Sequence, residues 1–254
     1  MIRRALPAAL VLLLVGCRTP PTPSWTPVDP AQREVAAALA GLQRVAAERH
    51  ALRGQARVSL SDARGSSFAR HLVVLARPAR LRIEVMGLLG QRIAVLASDG
   101  RVYDLYRAET GRIEHGIVHP ELLGEVAGVP LPPHELVDLL LGIPPRGLDR
   151  PDRAARAPGG SWELAWELAG GGEQRLGLDA RGRLMSVSLR DGAGLEEVSV
   201  SYAERDQESG LARRVRFRFP GTGLRVEVAF GRVELDPELP PGLFRLQLVS
   251  SPGG

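Results

Sequence analysis

The 254-residue chain contains no lysine and only one cysteine. A lone cysteine cannot close an intramolecular disulfide, so no covalent staple supports the fold. Without lysine, the basic side chains other than histidine are all arginines of very high pKa. This raises the sequence pI to about 10.1 although the net charge is only +4. So small an excess, with no dense basic run, argues against nucleic acid as a partner. Only one stretch is apolar without interruption by charge for long, Ala5 to Val15, and it falls short of the roughly 20 residues that span a bilayer.

That stretch follows Arg3 and Arg4 and precedes Leu14-Val15-Gly16-Cys17. A basic n-region, a short apolar h-region and a small residue before cysteine form the pattern of a bacterial lipoprotein signal. Cys17 is therefore the expected site of acylation and the only membrane attachment. Residues 1–16 are read as the signal peptide. Their removal leaves 31 of the 33 basic residues against 29 acidic ones, a net charge of +2. Buried acyl chains contribute about 0.8 kcal/mol per methylene, so several chains anchor a protein almost irreversibly.

Residues 17–30 contain "RTPPTPSWTPVDP", a proline-rich composition expected to form an extended tether. Residues 31–250 are read as one domain. It opens with a helix in which Asp29 is the expected N-cap, Pro30 the first residue, and Val35, Leu39, Leu42, Ala46 and Leu52 the apolar stripe. From Gly54 the period becomes two. Leu81, Ile83 and Val85 alternate with Arg80, Arg82 and Glu84; Trp162, Leu164 and Trp166 alternate with Glu163, Ala165 and Glu167; Val215, Phe217 and Phe219 alternate with arginines; Val226, Val228 and Phe230 complete the series. Such strands have one apolar face and one wet face. Asp99-Gly100, Gly170-Gly171-Gly172, Arg181-Gly182 and Asp191-Gly192 supply turns, and about ten to twelve strands at hairpin spacing predict an antiparallel meander. In mid-chain, Pro133 opens a greasy helix that Gly142 and Pro144 end. Apolar around much of its circumference, that helix needs cover on more than one side. Residues 146–160 read as a mobile loop. The expected fold is mainly β, an unclosed antiparallel barrel with an N-terminal helix and a helical lid inserted mid-chain.

Chemistry-bearing patterns are few. His115 and His119 have the four-residue spacing of two ligands on a helix, but Gly116 and Pro120 oppose a helix there and no third ligand is near. There is no Gly-x-Ser-x-Gly elbow, and the glycine triplet precedes a strand rather than a helix that could bind phosphate. Glu196 and Glu197 point to opposite faces of one strand. No enzyme activity, metal or cofactor is expected. The strand arginines read as a solvated convex face, with docking of an acidic carrier or lipid head groups as the sharper possibility.

The segments "RPARLRIEVMGLLGQRIAVLASDG" and "GVPLPPHELVDLLLGIPP", behind a lipobox and a helix, resemble the LolB outer-membrane lipoprotein receptor family, whose fold the periplasmic carrier LolA shares. The resemblance is best over residues 54–145. It implies a half-barrel whose apolar cavity receives acyl chains of lipoproteins from a LolA-like carrier and passes them to the outer membrane, with the protein facing the periplasm. It also implies a membrane-inserting loop at Leu88 and Leu89. The expected cavity residues are Leu81, Ile83, Val85, Ile93, Val95, Val215 and Phe217, with Leu136, Leu139 and Leu140 from the lid. A monomer is expected. Two alternatives stay open: a lipid-binding lipoprotein of this fold in another envelope pathway, and a structural envelope lipoprotein whose apolar faces merely pack. Arg18, rather than aspartate, after the cysteine favours the outer membrane.

Overall fold

The computed structural model describes residues 24–246. Cys17, the signal peptide and residues 247–250 of the expected domain lie outside the described residues. The element order is β1 (Thr26–Val28), α1 (Arg33–Glu48), β2 (Ala51–Asp62), β3 (Gly65–Ala76), β4 (Arg80–Met86), β5 (Arg92–Ser98), β6 (Val102–Arg107), β7 (Arg112–Ile117), α2 (Leu122–Ala127) and α3 (Pro133–Leu140), followed by β8 (Arg153–Arg156), β9 (Trp162–Glu167), β10 (Glu173–Leu178), β11 (Leu184–Arg190), β12 (Glu196–Arg205), β13 (Ala212–Phe219) and β14 (Leu224–Leu235).

The strands form one antiparallel sheet of fourteen in the order β1-β8-β9-β10-β11-β12-β13-β14-β2-β3-β4-β5-β6-β7. Its edges, β1 and β7, do not pair, so the barrel is open as the alternation predicts. The chain meanders twice: β2 to β7 build one wing, β8 to β14 the other, and β14 joins them by pairing with β2. Helix α1 connects β1 to β2, α2 and α3 connect the two wings, and their apolar faces join the core on the concave side of the sheet.

Inward positions connect from strand to strand. Val28, Ala154, Leu164, Leu176, Val187, Val200, Phe217, Val226 and Leu60 are successive cross-strand partners, the arrangement that stabilises sheets through side-chain contact. Most are buried in one large cluster. The buried face of α1 (Val35, Ala38, Leu39 and Leu42) joins the same cluster.

Several expectations change at element ends. Helix α1 starts at Arg33 with Gln32 at the N-cap; Asp29 instead accepts the Ala31 N–H at 2.9 Å in a preceding turn. Leu52 lies on β2, because Arg49 already has extended backbone. The proline-rich tether reaches the sheet within its own length, since Thr26–Val28 pairs with β8. This is an edge strand, where proline is tolerated. The loop expected over 146–160 contains that partner strand.

The outer face is not uniformly wet. Residues 238–246 cross it: Arg82 donates to the Leu243 carbonyl at 3.0 Å, and Arg80 sits 5.2 Å above the Phe244 ring. Phe244 packs with Ala51, Val74 and Ala76 in a second small cluster. Glu84, expected in solvent, is consequently buried between Arg82 at 2.7 Å and Arg92 at 2.5 Å. Burial alone raises its carboxyl, but the two guanidiniums outweigh it and hold Glu84 below the usual carboxylate range. Asp104 is likewise buried on this face. It accepts from Arg245, the Leu246 N–H and His115, which keep it ionised against burial.

Candidate functional site

Between β2–β6 and the inserted helices, the concave face is hollow. A cavity of about 210 Å³ is lined by Val58, Leu60, His71, Val73, Ile83, Val85, Ala94, Leu96, Leu105, Phe217, Val226 and Val228 from the sheet, and by Leu123, Val126, Ala127, Val129, Leu136 and Leu140 from the helices and their link. The pairing explains this lining. Val73, Ile83, Leu96 and Leu105 are cross-strand partners in one row, and His71, Val85 and Ala94 form the next. Val73, Leu96 and Leu105 are buried, whereas His71, Val85 and Ala94 are half-buried. The cavity therefore opens toward the strand ends that carry the β4–β5 loop.

Leu88 and Leu89 stand at the tip of that loop, 93% and 94% exposed. They do not tuck beneath the sheet edge. Gly87 and Gly90 close the turn through a backbone bond of 3.0 Å, with Gly90 at φ +82°, a conformation that favours glycine. Apolar tips in water are costly unless something covers them.

The roof has two parts. In α3, Leu136 and Leu140 are four residues apart, so they share a face and meet the cavity. Leu139 faces away and is fully buried; its carbonyl accepts the Tyr202 hydroxyl at 3.0 Å, and burial pushes that phenol's pKa up. Arg77 donates to Asp138 at 2.8 Å and to the Ala46 carbonyl at 2.7 Å, while Arg49 donates to the Leu141 carbonyl at 2.9 Å. These bonds clamp α3 to α1 and the sheet. Burial raises the Asp138 carboxyl, with Arg77 only partly opposing it. The second part, α2, ends at Gly128 with φ +69° and holds Leu122 and Leu123 buried.

Of the residues expected in the cavity, Ile83, Val85, Phe217, Leu136 and Leu140 line it. Leu81 and Val215 point inward but are fully buried in the packed core, one step deeper than the open space. Ile93 and Val95 are on the opposite face of β5: Val95 pairs with Glu84 and Ile93 is 46% exposed. Ala94 and Leu96 take the inward positions. In "RIAVLAS" the apolar residues run on without alternating, so the strand's parity is set by its partners rather than by its own pattern. A one-residue slip turns every side chain over.

His71 is the polar lining residue that sequence reasoning missed. Its inward position follows from the alternation of β3, where Val73 and Leu75 share its face. Burial pushes its imidazole down, opposed only in part by a contact with the Ala69 carbonyl, so the ring is neutral near pH 7. The other histidines are surface groups: His115 is on β7 with Asp104 at 2.7 Å, and His119 lies between Glu121 and Glu125 at 3.5 Å each. Glu196 and Glu197 do occupy one strand, β12. Among the described residues, no helix is long and apolar enough to cross a membrane.

No protein-family model matches the chain, and no curated protein matches it in sequence. Solved structures match it in fold. A domain described as an outer membrane lipoprotein-sorting protein from Vibrio parahaemolyticus superposes with TM-score 0.53 at 14% identity, covering 81% of this chain and 95% of that one. A LolA superfamily protein from Nitrosomonas europaea gives 0.52 at 12% identity, over 83% and 97%. A DUF1329 family protein from Desulfovibrio piger gives 0.59 at 9% identity, over 86% and 98%. At such identities the likeness is one of fold: a mainly β, LolA-like open sheet with few helices.

Proposed function

We propose that the chain is an outer-membrane lipoprotein, anchored through acylated Cys17 and facing the periplasm, that takes the acyl chains of lipoproteins from a LolA-like carrier into its cavity and delivers them to the membrane. The supporting observation is an almost wholly apolar cavity that opens toward the same end of the sheet as two solvent-exposed leucines. A chain of about fifteen carbons gains roughly 10 kcal/mol on leaving water, so aliphatic walls bind it without polar contacts. Transfer then needs only that the membrane bind it more tightly than the cavity does, and no nucleotide or metal enters this step. The anchor raises the effective concentration of the cavity at the membrane. The Leu88–Leu89 tip brings its mouth to the lipid.

The test uses residues 18–254, soluble without the anchor, mixed with a carrier loaded with an acylated lipoprotein and followed by pull-down. Transfer is expected, falling at least tenfold in Leu136→Gln, which puts an amide on the half-buried lining. No transfer in the parent chain, with lipid uptake intact, would sink the acceptor role.

A second reading, uptake of a single lipid in another envelope pathway, draws support from the cavity's size. At about 210 Å³ it is below the roughly 300–1,000 Å³ of common ligand pockets, room for part of one acyl chain while the roof is down. Uptake of free lipid without lipoprotein transfer would favour it.

A further inference from the structure

On the outer face, beside the exposed leucines, two arginines oppose each other without a counter-charge. Arg57 on β2 and Arg70 on β3 are direct cross-strand partners, and among the described residues neither has a carboxylate within salt-bridge distance. Like charges directly opposite destabilise a sheet, so the pair costs stability as it stands. On the same face Arg214 is held by Glu204 and Glu227, and Arg216 by Glu227. Arg218 and Arg225 are a second cross-strand pair without a carboxylate among the described residues, and what sets Arg57 and Arg70 apart is the groove they border.

The two guanidiniums border a groove of about 400 Å³ that contains no acidic side chain and reaches Met86 and Gly90. Gly90 belongs to the turn carrying Leu88 and Leu89, so cationic groove and apolar tip are one continuous surface. Phe68, 64% exposed, lies under Arg57 with 4.9 Å between guanidinium carbon and ring centroid. This orders the cation and adds an aromatic body of the kind found at membrane–water interfaces.

We propose that the Arg57–Arg70 groove binds the phosphate of an anionic phospholipid headgroup when the Leu88–Leu89 tip enters the bilayer. The proposal rests on the membrane contact of that tip. Planar guanidiniums suit phosphate oxygens through paired N–H donors, and an incoming phosphate relieves the repulsion between them. With the leucines among acyl chains, a groove at the base of their turn falls at headgroup depth, and the cavity mouth faces the lipid.

The test is co-sedimentation of residues 18–254, which carry every strand, helix and core residue described above. One set of vesicles is phosphatidylcholine; the other also contains phosphatidylglycerol. Binding is expected to be tighter to the second. Arg57→Gln/Arg70→Gln should lower it about thirtyfold, since each arginine near an anionic surface is worth a factor of about five. Arg101→Gln/Arg181→Gln removes the same charge from loops at the opposite end of the sheet and should keep most of the binding. Equal loss in the two double variants would assign the effect to net charge, and no loss in either would remove the groove; each overturns the proposal. Displacement by inorganic phosphate at constant ionic strength would overturn it too, by making free phosphate the ligand. Leu88→Ser/Leu89→Ser separates the two readings. If it loses both vesicle types while the Arg57/Arg70 variant binds fully, the tip stands and the groove falls; the reverse pattern removes the tip and leaves the groove.

Discussion

The concave face is built from the same inward strand positions on both wings of the sheet, yet one wing is solid and the other hollow. On β9 to β12 those positions hold Trp162, Leu164, Trp166, Leu176, Leu178, Val187, Leu189 and Tyr202, all buried, with α1 against them. On β2 to β5 they include Val58, Ala69, Val73, Val85 and Ala94 beside Leu60, His71, Ile83 and Leu96, and α2 covers them only in part. Large side chains close the first space to the density of a protein interior; short ones leave the second open. Helix α3 is shared, turning Leu139 toward the solid side and Leu136 and Leu140 toward the hollow one. The hollow thus arises from shorter side chains at some inward positions together with partial helix cover, within one architecture.

The contrast can be broken from the solid side first. Leu176→Ala should cost about 2–5 kcal/mol in a denaturant melt, the range for deleting a fully buried leucine. Ile83→Ala, beside existing empty space, should cost about 1 kcal/mol. Equal losses would mean that the hollow wing is packed in solution.

Filling each side sharpens it further. Ala154→Phe, on the packed ladder, should cost about 1–3 kcal/mol by overpacking. Ala94→Phe should change stability by less than 1 kcal/mol, roughly the scale of a tolerated swap, and lower binding of a fluorescent fatty acid at least tenfold. Unchanged fatty-acid binding would place the lipid elsewhere.

A smaller effect attaches to His71. Its folded pKa lies below the ordinary value of 6.5, so the unfolded chain takes up the proton first. The stability contributed is present above 6.5 and is lost as pH falls below it. Thermal melts from pH 7.5 to 5.5 should fall more steeply for the parent than for His71→Leu; parallel curves would mean the imidazole is solvated. The smallest effect belongs to the loop tip. Leu88→Ser/Leu89→Ser should shift stability by no more than about 0.5 kcal/mol, because both side chains are already in water. A larger loss would show that they pack.

Legibility followed the same division. Leu81, Ile83 and Val85, with charges between them, declared both strand and inward face, as did Trp162 to Trp166 and Val215 to Phe219. Ile93 to Ala97 declared a strand but not its face, and the reading placed Ile93 and Val95 inward when Ala94 and Leu96 are. Inward parity did not by itself mean cavity: Leu81 and Val215 share a face with lining residues but lie where the helices close down. On α3, the greasy circumference foretold cover on two sides without saying that Leu139 belonged to the solid one. Glu84 read as solvated because the segment that covers it, 238–246, is more than 150 residues away in the chain.

Local pattern therefore determined what local physics controls: the period of two, the turn positions and the helix from Pro133 to the Gly142 stop. Tertiary structure decided the rest. Which face an unpatterned strand turns inward depends on hydrogen bonds to its neighbours, and whether an inward residue meets empty space depends on the size of a side chain across the sheet. Neither quantity is carried by the residue itself. Both arise only when β14 meets β2 and the two wings share one interior.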